Sequence, residues 1–150
     1  MSENIIAIAS DHGGFELKQI LSQYLHENGW KAQDLGAYGK EAVDYPDQAD
    51  EMAKWLSFNQ DKKGILICGS GIGMSIAANR FRGIRAALCH DGLSASLARK
   101  HNDANVLCLG ARLIGTETAK DCIFHFLNSE FDGGRHETRV DKLSNFSKRK

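Results

Sequence analysis

Residues 64–79 read GILICGSGIGMSIAAN: a short apolar run ending in Cys68, glycines at 69, 71 and 73, then a stretch of small and apolar residues. A run of this length followed by a glycine turn is a buried strand, and the residues beyond it suit a helix. The same alternation extends in both directions, with strands predicted at 5–9, 31–35, 64–68, 84–89 and 105–109. Between the first two, Leu17, Ile20, Leu21, Tyr24 and Leu25 form one helical face, and Gly29 stands where the helix should stop. Ala49, Met52, Ala53 and Leu56 make a second stripe behind Asp44, Tyr45 and Pro46, a turn that opens a helix with proline early in it. Further helices are expected from about Ile72 and Leu93, and one after the fifth strand carries Ala119, Cys122, Ile123, Phe126 and Leu127 behind Thr116 as N-cap. Strands alternating with helices in this way build an α/β domain around a mostly parallel five-stranded sheet.

The chain has 150 residues, enough for one ordinary core, and no internal repeat or linker divides it. We expect one domain over 1–150, with an α/β core at 1–129 and a polar arm at 130–150 that becomes helical. Nineteen Lys plus Arg balance nineteen Asp plus Glu, so no global positive field would hold a nucleic acid or an anionic membrane. The apolar runs fall short of a membrane span, no export signal is evident, and the four cysteines lack paired spacing, which points to reduced thiols in the cytoplasm. Fifteen Gly stand beside a single Pro, where average usage would give roughly ten and seven or eight, so the glycines are placed for a purpose.

Ligands of open α/β sheets bind beyond the carboxyl ends of the strands. The first strand runs into Ser10, Asp11, His12, Gly13 and Gly14; read locally, Asp11 is a helix cap and His12 a solvated imidazole. At the third strand, the backbone of Gly69, Ser70, Gly71, Ile72 and Gly73 can turn N–H groups toward an anion or a developing oxyanion at a helix start. Cys68 shares that environment, which favours the thiolate, whereas Cys89, Cys108 and Cys122 read as structural. His101 and Asn102 fall in the turn before the fifth strand, where turn formation and a helix-end dipole also account for them. Arg112 leaves the fifth strand at the same edge as Asp11 and Cys68, while Arg135 and Arg139 lie four apart in the arm. Tyr45 stands among Asp44, Asp47 and Asp50, a group better read as helix-start and solvent-face charge than as a cation site. No ligand spacing such as HxxxH, and no Cys/His cluster of zinc type, is present, so no metal is expected.

Taken together, SDHGG, DYPD, CGSGIGMSIAANR, GIRAA, RKHNDANVL, LGARLIG and GGRHETRV resemble the ribose-5-phosphate isomerase type B family, over nearly the whole chain. The resemblance implies a Rossmann-like three-layer αβα fold and an aldose–ketose isomerase working on ribose 5-phosphate and ribulose 5-phosphate through a cis-enediolate, without cofactor. It implies Cys68 as the base between C2 and C1 and His101 as the acid that opens the furanose ring. Asp11 would bind sugar hydroxyls, Ser70 would stand in for a frequent Thr, and Asn102 with the backbone from Gly69 to Gly73 would hold the reacting oxygens. His12, Arg112, Arg135 and Arg139 would surround the phosphate. It further implies homo-oligomers, dimers or tetramers, with each site at a subunit interface. Family members acting on hexose 6-phosphates, allose or galactose 6-phosphate, leave the sugar open. A nucleotide-binding module is the rival from another class: Asp91 follows the glycine turn by about twenty residues, as in a dinucleotide fingerprint. The spacing is GxGxG, however, no Walker lysine follows, and no second domain remains for a substrate.

Overall fold

Ile5–Ser10 (β1) pairs in parallel with Lys31–Asp34 (β2) on one side and with Lys63–Cys68 (β3) on the other; β3 pairs with Val106–Gly110 (β5), and β5 with Ala86–Leu88 (β4). The sheet order is therefore β2-β1-β3-β5-β4, with every pairing parallel. The connections are Phe15–Glu27 (α1), Tyr45–Ser57 (α2), Ile72–Ala78 (α3), Gly92–Asn102 (α4) and Thr116–Leu127 (α5), and Arg135–Ser144 (α6) follows. This computed structural model describes residues 3–145; the expected arm at 130–150 is thus seen as α6, and 146–150 lie outside the described residues.

Strands buried on both faces read as continuous apolar runs, and the pleat sorts their residues between two cores. Ile6, Ile8, Ile65, Ile67, Leu107 and Leu109 face α1, α4 and α5, whose Leu21, Leu25, Ile123 and Phe126 are fully buried. Ala7, Ala9, Leu66, Cys68, Val106 and Cys108 face α2 and α3 through Met52, Leu56 and Met74. Helices on both sides make the three layers that the resemblance implied. No described helix is long and apolar enough to cross a membrane.

Several boundaries differ from the sequence reading, each for a local reason. The fourth strand, predicted at 84–89, shrinks to Ala86–Leu88 because Arg85 is drawn into the turn before β5: its N–H donates to Asn105 Oδ1 at 2.8 Å and its Nε to the Asp103 carbonyl at 2.8 Å. On the outer side of β4, the Asn79 amide accepts from Ala86 N at 2.8 Å and donates to the Ala86 carbonyl at 2.9 Å. The N-cap of α5 is Gly115, and Thr116 is already the first helical residue. Gly29, with φ of +82°, does follow the end of α1. Behind the carboxyl end of β1, the fully buried Lys18 ammonium pairs with Asp34 at 2.7 Å and donates to the Ala37 carbonyl. Ser10 exchanges backbone hydrogen bonds of 2.7 Å with Gly36 and Ala37, so this loop is fixed directly beside Asp11.

Candidate active site

Cys68 is the last residue of β3, 5% exposed, and the chain turns sharply beyond it. Gly71 adopts φ of +76°, and a Cβ there would lie 2.6 Å from Leu88 Cδ1 and 2.9 Å from the Leu109 carbonyl carbon, so only glycine fits. That conformation aims the Gly71 N–H at Cys68, where it donates to Sγ at 3.1 Å. The Ile72 N–H donates to Ser70 Oγ at 3.2 Å. Two of the amides expected to face an anion are thus engaged locally, one of them by the candidate base itself.

Three neighbours close around this turn. Arg112 lies over it: its N–H donates to the Gly69 carbonyl at 2.8 Å, and a Cβ at Gly69 would stand 3.4 Å from the guanidinium Nε. Asp11, 8% exposed, accepts from the Gly14 N–H at 3.1 Å, so its local role as a cap is real. Its Oδ1 and the Gly69 amide nitrogen both border the space that a Gly13 side chain would fill, at 3.3 and 3.5 Å. The Tyr45 ring packs on Gly73, where a Cβ would meet it at 2.5 Å. His12 is exposed at the same end, with Nδ1 3.2 Å from both the N and the O of Val43. Asp11, His12, Tyr45, Cys68, Ser70, Gly69 to Gly73 and Arg112 therefore share the carboxyl edge of the sheet.

His101 and Asn102 do not. They are the last two residues of α4 and not a turn, because the helix continues until Asp103 breaks it in the left-handed region at φ of +46°. Arg99 holds that break, donating to Asp103 Oδ1 at 2.8 Å and to the Ala104 carbonyl at 2.6 Å, and Arg85 braces it from the other side at 3.4 Å. The end of α4 precedes β5, so His101 sits at the amino edge of the sheet, roughly 20 Å from Cys68 at about 3.3 Å per strand residue. The arm docks at this same end. Val140 is buried, the Asp132 N–H donates to the Lys100 carbonyl at 2.9 Å, and the His136 ring stacks on His101 with centroids 4.3 Å apart and planes 12° from parallel. Partial burial, and then the neighbouring His101, Arg135 and Arg139 charges, lower the His136 pKa from its ordinary value, against the opposing pull of Asp132.

The residues expected around one substrate thus fall into two groups, the candidate base Cys68 with Arg112 and Asp11 at one edge, and His101, Asn102, Arg135 and Arg139 at the other. Sequence reasoning missed His136 and Asp132, which join His101 in a group whose ligand-type atoms all lie within 4.8 Å of one another. Their separation in the chain leaves no metal-type spacing to read; the only hint was His136 between the two arm arginines.

Residues 6–143 match the Ribose/Galactose Isomerase family. Ribose-5-phosphate isomerase B of Escherichia coli is 43% identical over 145 residues, 97% of each chain. The crystal structure of a ribose 5-phosphate isomerase of Thermotoga maritima shares 52% identity and a TM-score of 0.92, covering 95% of this chain and 99% of that one. Ribose-5-phosphate isomerase B of Mycoplasma genitalium, solved with bound ribulose-5-phosphate, has a TM-score of 0.92 at 42% identity over 97% of each chain.

Proposed function

The chain belongs to the Ribose/Galactose Isomerase family, and from that premise we propose that it interconverts D-ribose 5-phosphate and D-ribulose 5-phosphate by proton transfer through a cis-enediolate. The observation that carries the mechanism is the seat of Cys68: a sulfur at the carboxyl edge that accepts from the Gly71 N–H, directly before Gly69, the turn residue over which the Arg112 guanidinium lies. The Cys68 thiolate takes the C2 proton of the open-chain aldose, leaving an enediolate, and the thiol returns the proton to C1 while the C2 hydroxyl proton passes to the C1 oxygen, so that the ketone forms at C2 and an alcohol at C1. Backbone donors of the Gly69 to Gly73 turn other than the engaged Gly71 and Ile72 amides, with the Ser70 hydroxyl, meet the negative charge that develops on the sugar oxygens, each such donor being worth ~3 kcal/mol. Asp11 holds sugar hydroxyls.

The two groups meet when a second copy supplies the amino edge. The edge strand β4 is flanked by Ile72 and Ile76 of α3, 49% and 54% exposed, and by Leu93 and Leu97 of α4, 69% and 37% exposed, each pair four residues apart on one helix face. Such a patch suits a homodimer. A two-fold axis across β4 reverses the strands, setting the carboxyl edge of one copy beside the amino edge of the other. His101 of the second copy then opens the furanose ring, Asn102 helps hold the reacting oxygens, and Arg135 and Arg139 join Arg112 and His12 around the phosphate. Arginine suits that task because its fork grips phosphate through two hydrogen bonds at once. The four free, buried cysteines fit a reducing cytoplasm.

The test is isomerisation of ribose 5-phosphate beside allose 6-phosphate and galactose 6-phosphate, by wild type and Cys68→Ala. Pentose turnover that falls on the order of 1,000-fold in the variant is expected. A preference for either hexose phosphate would move the substrate while keeping the chemistry, and near-normal turnover by Cys68→Ala would remove the base.

A further inference from the structure

We propose that His101, Asp132 and His136 form a binding site for a divalent transition metal, with Zn2+ as the ion that fits, in the seam where α6 docks on α4. Two imidazoles and one carboxylate are a donor set that Zn2+ takes readily, leaving its fourth position open to water or a ligand. One donor atom from each residue lies within 4.8 Å of the others, close enough for modest side-chain rotation to bring all three to zinc-ligand distance. The fold itself brings this group together. The backbone bond from Asp132 to the Lys100 carbonyl sets the carboxylate beside His101. Gly133 and Gly134, at φ of +65° and +56°, then bend the chain so that Asp132 and His136 approach His101 from one side, and the buried Val140, one turn further along α6, anchors that face.

The stack has to open for the metal to enter. In-plane lone pairs of two rings lying 12° from parallel do not converge on one point, so His136 turns about its Cβ–Cγ bond when it ligates. A bound ion also takes the His101 nitrogen that would otherwise handle a proton. Resting on the proposed role of His101, the site is therefore inhibitory: zinc and ring opening compete for the same imidazole.

Calorimetric titration of the untagged full-length protein with Zn2+, in the absence of substrate, tests the site independently of any isomerase activity. One Zn2+ per chain is expected, bound at least about tenfold more weakly by Asp132→Asn and by His136→Gln, and with unchanged affinity by Cys68→Ser. Co2+ in place of Zn2+ should give a visible d–d band that the same two variants lose. Absence of a one-per-chain event, or binding that both variants retain, would overturn the site. In a parallel assay, Zn2+ should inhibit ribose 5-phosphate isomerisation, with EDTA restoring it. Zinc bound at this site with ring opening undiminished would leave the site standing and overturn the role given to His101.

Discussion

Cys68 and His101 lie at opposite ends of the same parallel sheet, the one closing β3 and the other closing α4 before β5 begins. A strand of six residues separates the two edges, so no side-chain motion within one chain brings the sulfur and the imidazole to a common sugar. The proposed reaction needs both, and two copies related by the proposed two-fold axis would provide both twice.

Complementation between inactive variants follows from this. Cys68→Ala and His101→Asn, each nearly inactive alone, should recover about a quarter of wild-type activity when subunits exchange at equal amounts. Half of the dimers are then mixed, and each mixed dimer has one intact site of two. Turnover measured before and after exchange checks this; no recovery, with mixed dimers demonstrated by mass spectrometry, would place Cys68 and His101 in separate functions.

His101→Asn alone should slow turnover of ring-closed ribose 5-phosphate on the order of 100-fold while sparing an aldose phosphate too short to cyclise. General acid catalysis helps ring opening, a step the short substrate skips. Comparing kcat for the two substrates separates the roles, and an equal loss on both would assign His101 to the proton transfer itself.

Arg135→Ala and Arg139→Ala should raise KM more than they lower kcat, and removing both should flatten the dependence of KM on ionic strength. Phosphate held by exposed guanidinium groups is screened by salt, so wild-type binding weakens as salt rises. Steady-state kinetics across a salt series would decide, with an unchanged KM excluding the arm from the phosphate.

The buried thiols predict an alkaline limit to stability. Burial foremost holds the Cys108 thiol well above the usual range, and burial foremost, then Cys89 and the nearby carboxylates, pushes Cys122 up to about 12. The unfolded chain loses these protons near pH 8.5, the folded chain only much higher. Stability should therefore be intact below about pH 8.5 and fall progressively as pH rises toward the folded values. Urea midpoints measured from neutral to alkaline pH check the sign, and Cys108→Ala with Cys122→Ala should shallow the decline.

Much of this architecture was legible in the residues. The run ending at Cys68 gave the central strand and its turn because a fully buried parallel strand leaves an uninterrupted apolar signature, and Gly71 can serve only where φ is positive. The fourth strand is shorter than its residues suggest because Ile84 and Arg85 carry strand-like side chains while hydrogen bonds that Arg85 donates to Asn105 and Asp103, about twenty residues on, pull it out of the ladder. The site was half legible in the same sense. Strand ends announce the residues of the carboxyl edge, but the meeting of His101 with His136 depends on Val140 docking an arm whose remaining face is polar, and no local periodicity encodes that partner.

Asn79 blunts the open margin of the sheet. Its amide occupies both outward backbone groups of Ala86, the first residue of the sheet's open margin, β4, nearest the proposed dimer axis. A bare margin would invite further strands and with them fibres that grow without end. With those groups taken, a strand added at Ala86 would find no backbone partners there, and the copies of the proposed dimer would meet through helix side chains instead.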